Sequence, residues 1–319
     1  MTKRRSGPRI LLVGAGAVGQ TYGFHLQRGG AEVSFLVRPQ YADAARAGFP
    51  VHCHNGRYRG AHLFTDFGVL TTPEEVAARA WDQIWLCVSS PALRGPWLQP
   101  LLMAAGDATV VTLQPGLSDR NHLLEWVDEA RLVSGLISFL SYPTPLPGGP
   151  LPPGMAWWFP PLSPSPFSGP KGAVSSVVRA LERGGCPAKS AQRVYETVAF
   201  ASGLMMPTIA ALEVADWSFR RLLQPAYRRL ATRGGRQASG IGRPGHRRWL
   251  AWLVTSGLVL NIAARLAPWV VPFDLQTYLR VHFSKVGDQT RAMLHHYRTL
   301  AKDTGQPDDA LATLLERLD

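Results

Sequence analysis

The stretch Arg9–Gly30, RILLVGAGAVGQTYGFHLQRGG, decides how this 319-residue chain folds. Ile10 to Val13 form a continuous apolar run, as a strand needs when it is buried on both faces of a parallel sheet. Gly14, Gly16 and Gly19 follow at G-x-G-x-x-G spacing. The first glycine takes the sharp turn, the second lets the backbone approach a pyrophosphate, and the third lets the new helix pack against its strand. The helix that opens at Ala17 ends at Gly29-Gly30, a stop signal. A phosphate would rest on its N-terminus, where unpaired N–H groups and the helix dipole both favour an anion. Gly14, Gly16, Ala17, Val18 and Gly19 are therefore the expected dinucleotide contacts.

Glu32 to Val37 is the second strand, and Arg38 stands at its end, where NAD-binding chains carry an acid for the ribose hydroxyls. A planar guanidinium suits a 2′-phosphate, so NADP(H) is expected over NAD(H). The strand and loop alternation continues. Thr72-Pro73-Glu74-Glu75 starts a short helix, with proline in its first turn and acids against the dipole. Gln83 to Val88 is a buried strand leading to Ser89-Ser90, and Thr109 to Leu113 leads to Gln114-Pro115. Loops at strand C-termini hold the ligands of open α/β sheets, so Ser89, Ser90, Gln114 and Pro115 join the expected cofactor contacts. Gly48 to Gly60 turns around Asn55-Gly56, a hairpin signal. Its His52 and His54 are read as surface residues, and no metal is expected.

Ser141 to Pro170 holds eleven of the 26 prolines, interleaved with Trp157, Trp158 and Phe159. The aromatics point to packed irregular strands. A helix at Lys171 to Glu182 and a strand at Pro187 to Ser190 close the βα pattern. Helical periodicity then takes over, through Gln192–Glu213, Trp217–Thr232, Arg248–Leu266, Leu275–Thr304 and Asp308–Leu318. The division predicted is a nucleotide-binding domain over 1–188 and a helical substrate or dimerisation domain over 189–319.

Composition narrows the function. With 46% hydrophobic residues the chain can bury a sizeable core. Cys53, Cys87 and Cys186 are far apart with no C-x-x-C, which speaks against a disulfide framework or a zinc cluster. The basic start MTKRRSGPR has no apolar run of a secretory signal, so a cytoplasmic location is expected. Trp249 to Ala264 is apolar but short, broken by Gly257, Asn261 and Arg265, and reads as a buried core helix rather than a membrane span. The net charge is +12, and Arg220 to Arg248 holds nine arginines and no acid. Gly234-Gly235, Gly240, Gly242 and Pro244-Gly245 should break it into an exposed, anion-attracting loop with helical shoulders. With Tyr227 its one aromatic and no recognition motif present, nucleic acid is not an expected partner.

The order GAGAVG at Gly14–Gly19, LVR ending at Arg38, an Asn-Gly hairpin, QPGL at Gln114–Leu117 and then an all-helical half resembles the ketopantoate reductase (2-dehydropantoate 2-reductase) family. The resemblance implies an α/β Rossmann-like N-terminal domain, an all-α C-terminal domain of the 6-phosphogluconate dehydrogenase C-terminal-like kind, and NADPH-driven reduction of a 2-oxo acid. A homodimer is the candidate assembly. The family's catalytic residues do not carry over. Ser89 stands at the place of the lysine after the fourth strand, and Pro115 at that of the asparagine near the nicotinamide. Thr197, Ala201 and Met205 replace a proton-donating lysine and two asparagines, and Gln289 replaces the substrate-binding glutamate.

One replacement follows from spacing. If Leu275–Thr304 is one helix, Tyr278, His282, Lys285, Gln289 and His296 fall within about a 60° arc at 100° per residue, beside the apolar stripe. That row either faces a cleft or snorkels to water. Lys285 is the only helical lysine of the second domain before Lys302, which makes it the candidate acid, with His282 and Gln289 beside it. The expected function is an NADPH-dependent reductase of a carbonyl or imine small molecule, bulkier and more apolar than ketopantoate. The alternative is a family member repurposed for cyclisation or isomerisation, or a non-catalytic nucleotide-binding scaffold.

Overall fold

A computed structural model describes residues 7–241, 252–253 and 255–318. The chain divides into two compact units, one of Met1–Gln114, Ser118–Pro145 and Pro150–Tyr195, the other of Pro115–Leu117, Leu146–Gly149 and Glu196–Asp319.

The first unit is built on an eight-stranded sheet. Its strands are β1 (Arg9–Val13), β2 (Glu32–Leu36), β5 (Gly68–Leu70), β6 (Gln83–Leu86), β7 (Thr109–Thr112), β8 (Leu132–Gly135), β11 (Ser165–Ser168) and β12 (Ala188–Ser190), in the order β12-β11-β8-β7-β6-β1-β2-β5. All neighbours run parallel except β8 and β11. The chain leaves β1 toward β2 on one side and later returns to lay β6 on the other. The loop after β1 therefore sits at a topological switch point, where open α/β sheets take ligands. Ile10 and Leu12 enter one core with α1 (Ala17–Arg28) and α6 (Lys171–Arg183), while Leu11 and Val13 enter the other with α4 (Leu98–Ala104). That two-sided burial accounts for the apolar run.

A second sheet, in the order β4-β3-β10-β9, joins the hairpin of β3 (Phe49–Cys53) and β4 (Gly60–Phe64) to β9 (Leu140–Thr144) and β10 (Gly154–Trp158) from the proline-rich stretch. It corrects the reading of the histidines. β10 covers β3, so His52 is buried rather than a surface residue, and His54 is half-buried with its Nε2 2.7 Å from the Tyr142 hydroxyl. Asn55 turns the hairpin and holds β10 as well, accepting from the Phe159 N–H at 2.9 Å and donating to its carbonyl at 2.8 Å.

The second unit contains α7 (Val194–Val214), α8 (Phe219–Leu222), α9 (Pro225–Ile241), α10 (Gly257–Val270), α11 (Leu275–Lys285), α12 (Gly287–Asp303) and α13 (Asp309–Leu318). By length and composition α7 could cross a membrane, with a mean hydropathy of 1.5, but half of that window is buried inside the fold.

Two sequence expectations about helix breaks fail here, and so does the core helix read over Trp249–Ala264, since Trp252, Leu258 and Ile262 are exposed. Arg220 to Ile241 is not a glycine-broken loop: α9 runs through Gly234, Gly235 and Gly240, while residues 242–248 lie outside the described residues. Each glycine costs a helix about 1 kcal/mol against alanine. Close packing offsets it, because a Cβ on Gly234 would stand 3.0 Å from Pro207 and 3.1 Å from Leu314, and one on Gly203 of α7 2.9 Å from the Ser239 backbone. The unbroken helix also brings Gln237 to α13, where its Oε1 accepts from the Ala310 and Leu311 N–H groups at 3.1 and 3.3 Å and its Nε2 donates to Asp309 at 2.8 Å.

The second failure is the single helix over Leu275–Thr304. It breaks at Val286, whose φ of −115° and ψ of 26° are not helical, immediately before Gly287. Asp288 stands in the first turn of the next helix, where its charge suits the dipole.

Candidate functional site

β1 ends at Val13, and Gly14 turns the chain with φ +99°, a region open to glycine. Its N–H donates to the Leu36 carbonyl at 3.0 Å, so the turn is fastened to β2. A Cβ on Gly14 would meet the Cys87 carbonyl at 3.1 Å. A Cβ on Gly19 would run into the Gly14 carbonyl, so that glycine seats α1 on the turn. Gly16 differs. It is the N-cap of α1 with no side-chain cap, and a Cβ there would meet nothing within 4 Å. Packing does not demand glycine at Gly16; an occupant approaching the backbone would. Ala17, Val18 and Gly19 follow as the first helical residues, whose N–H groups are the natural donors to an anion. Gln20 steadies the loop by donating to the Ala15 carbonyl at 2.8 Å.

Arg38 is exposed just beyond β2. Its guanidinium lies over the Tyr41 ring, 5.0 Å from the centroid, and donates to the Tyr41 hydroxyl at 3.2 Å. The tyrosine was not expected from sequence, although its place three residues on, at the end of a 3₁₀ turn, could have suggested it. It fixes the plane of a cation ready for a phosphate.

The loops after β6 and β7 meet beside this turn. Ser89 is exposed, and Ser90 is buried at the start of the 3₁₀ turn Pro91–Arg94. Gln114 is committed to the protein: its Nε2 donates to the Leu86 and Val88 carbonyls at 2.7 and 2.8 Å, and its Oε1 accepts from Thr112 and the Leu113 N–H. It holds the cofactor-facing loops in place rather than offering a free amide. Arg94, which sequence reasoning missed, bridges the Ser90 carbonyl, Asp119 and Ser118 at 3.3, 2.7 and 2.9 Å. Burial pushes the Cys87 thiol up, so it is no nucleophile at neutral pH.

The remaining candidates, with Pro115, belong to the second unit. Thr197 and Ala201 are half-buried and Met205 is exposed, one below the other on α7 at four-residue steps, an accessible, mostly apolar stripe. On α11, Tyr278 is buried and stacks on His282, with ring centroids 5.5 Å apart. Burial first, then the Lys285 charge, hold His282 below its ordinary value. Lys285 is exposed on the last turn of α11, and Gln289 and His296 lie on α12 beyond the break at Val286. The row is therefore divided between two helices. Among the described residues no three His, Cys, Asp or Glu side chains gather as a metal site would require.

A mostly parallel sheet with a glycine turn at its switch point, followed by a helical unit, defines a Rossmann-like α/β protein with an all-α C-terminal region. The family model for ketopantoate reductase PanE/ApbA matches residues 10–144. No curated protein sequence matches the chain. Solved structures match over nearly its whole length. A ternary complex of D-mandelate dehydrogenase with NADH and anilino(oxo)acetate has a TM-score of 0.72 at 12% identity, covering 97% of this chain and 96% of that one. The probable 2-dehydropantoate 2-reductase of Bacillus subtilis has 0.69 at 15%, covering 97% and 98%. A PanE/ApbA family ketopantoate reductase of Ralstonia eutropha JMP134 has 0.69 at 17%, covering 97% and 96%. At such identities the likeness establishes the fold.

Proposed function

We propose that this chain is an NADPH-dependent reductase of a carbonyl or imine compound bulkier and more apolar than ketopantoate. The observation that carries the reading is the turn Gly14–Gly19: the space above Gly16 is open although the fold does not need it, and an uncapped helix start stands beside it. A pyrophosphate fits that cradle. Arg38, braced by Tyr41, supplies the cation for a 2′-phosphate and supports NADP(H) over NAD(H). When bound, the nicotinamide supplies a hydride. The protein would steady the acceptor along Thr197, Ala201 and Met205 and deliver a proton to the developing oxyanion or amide from Lys285, with His282 as the second candidate donor. The D-mandelate dehydrogenase complex, with its anilino(oxo)acetate, supports an acceptor larger than ketopantoate on this fold. The proposal includes a cytoplasmic protein with a small-molecule substrate and neither a membrane span nor a nucleic-acid partner.

The test is NADPH oxidation against ketopantoate and a panel of bulky ketones, aryl 2-oxo acids and imines, with Lys285→Ala alongside. Ketopantoate is expected to turn over poorly, because each missing transition-state donor costs about 100- to 1000-fold in rate. Efficient turnover of ketopantoate contradicts the substrate reading. Binding of NADPH without oxidation by any acceptor moves the chain to the non-redox alternative.

A further inference from the structure

Among the described residues, one face of α10 (Gly257–Val270) is left exposed. Leu258, Ile262, Leu266 and Trp269 recur within about an 80° arc at 100° per residue, and they are 70%, 49%, 57% and 88% exposed. Ala264 is the one buried residue of this helix. Trp252 and Leu253, just ahead of it, are exposed as well. Apolar residues scattered singly on a surface need no explanation, but a contiguous row of four on one helix marks an interaction site.

The charge around this row has one sign. From Trp217 to Phe273 the sequence holds ten arginines and neither Asp nor Glu. Arg221 pairs with Asp216 and Arg233 with Asp309. Arg220, Arg228, Arg229, Arg236 and Arg265 form no ion pair among the described residues. Arg236 borders the stretch just ahead of the helix, its guanidinium 5.8 Å from the Trp252 ring centroid. Arg265 flanks the row within α10 itself. Exposed Leu, Ile and Trp rimmed by unpaired arginines match a helix lying in the plane of an anionic bilayer, with tryptophan at the headgroup boundary. A second copy of the chain would set the same unpaired arginines against one another, at a cost.

We propose that α10 docks this protein peripherally on an anionic lipid surface, its apolar row entering the acyl boundary and Arg236 and Arg265 meeting the headgroups. This stands apart from the catalytic reading and from any membrane span. The experiment is flotation of the full chain with phosphatidylglycerol/phosphatidylcholine vesicles and with pure phosphatidylcholine vesicles, at low and high salt, together with its sedimentation without lipid. Partition onto the anionic vesicles is expected to exceed that onto neutral ones at least about tenfold, since each arginine near the surface contributes about fivefold, and to fall with salt. Leu266→Ser/Trp269→Ser, with folding checked by melting temperature, is expected to weaken it at least about tenfold. Arg265→Gln, which leaves the apolar row intact, is expected to weaken it about fivefold. Equal partition on both vesicles, no partition, or an unchanged Leu266→Ser/Trp269→Ser protein overturns the proposal. So does a wild-type dimer that this double variant turns into a monomer, because the face is then a contact between copies.

Discussion

Gly16 in the first unit and Gly203 in the second are both associated with a helix, yet a methyl group on Gly16 would meet nothing within 4 Å, whereas one on Gly203 would stand 2.9 Å from the Ser239 backbone. The fold demands the glycine at Gly203. At Gly16 it demands nothing, and glycine there makes sense only if another molecule approaches the backbone. Gly19 stands between these cases, since its own chain fills the space a Cβ would take and that packing shapes the cradle. Glycine thus marks ligand approach in the sheet unit and helix approach in the helical unit, and substitution separates the two.

The largest effect is expected at Gly19. Gly19→Val forces the start of α1 off the Gly14 carbonyl and should cost about 3 kcal/mol or more of stability along with dinucleotide binding, as thermal melting and titration will measure. Acid acts on the same helix. His25 is buried on α1 with its Nδ1 2.7 Å from the Gly184 carbonyl and its Nε2 without a partner, and burial lowers its pKa from 6.5 to about 4. The unfolded chain takes up that proton first as pH falls. The stabilisation is therefore complete above about pH 6.5 and lost progressively toward pH 4, about 3 kcal/mol in all. Denaturant titrations across this range should show the slope in wild type and a flatter one in His25→Gln.

In the helical unit, Gly203→Ala is expected to destabilise by about 1–3 kcal/mol through overpacking of α7 on α9, although helix propensity alone would stabilise by about 1 kcal/mol. A more stable Gly203→Ala protein would dissolve the contrast between the units. Smaller still is the effect on folding at Arg38, an exposed side chain, where Arg38→Ala should move stability by less than about 0.5 kcal/mol. It should nonetheless cut the preference for NADPH over NADH by about tenfold or more, as the loss of a charge-assisted phosphate contact does. An unchanged preference leaves Arg38 as a surface residue.

How much the sequence disclosed depended on how far away the deciding partner lay. Gly14, Gly16 and Gly19 act within one turn of chain, and β1 carries its two-sided burial in Ile10–Val13, so both could be read locally. His52 could not, because the strand that buries it, β10, arrives about a hundred residues later. The glycines of α9 read as breakers because the chains that close on them, Pro207 and Leu314, lie far off in sequence. Gln114 sat in the expected loop, but its role as a clamp depends on carbonyls of Leu86 and Val88 that spacing could not place. The row from Tyr278 to His296 rested on an unbroken helix, and Val286-Gly287 was the local signal that should have interrupted it.

The most direct test of the account is titration of NADPH into wild type and Gly16→Ala, with the melting temperature of each. Gly16 has open space above it, so the variant should fold with its melting temperature within a few degrees of wild type and bind the dinucleotide at least about tenfold more weakly, because the new methyl group occupies the place of the pyrophosphate. Binding of NADPH by a folded Gly16→Ala protein with wild-type affinity would contradict it.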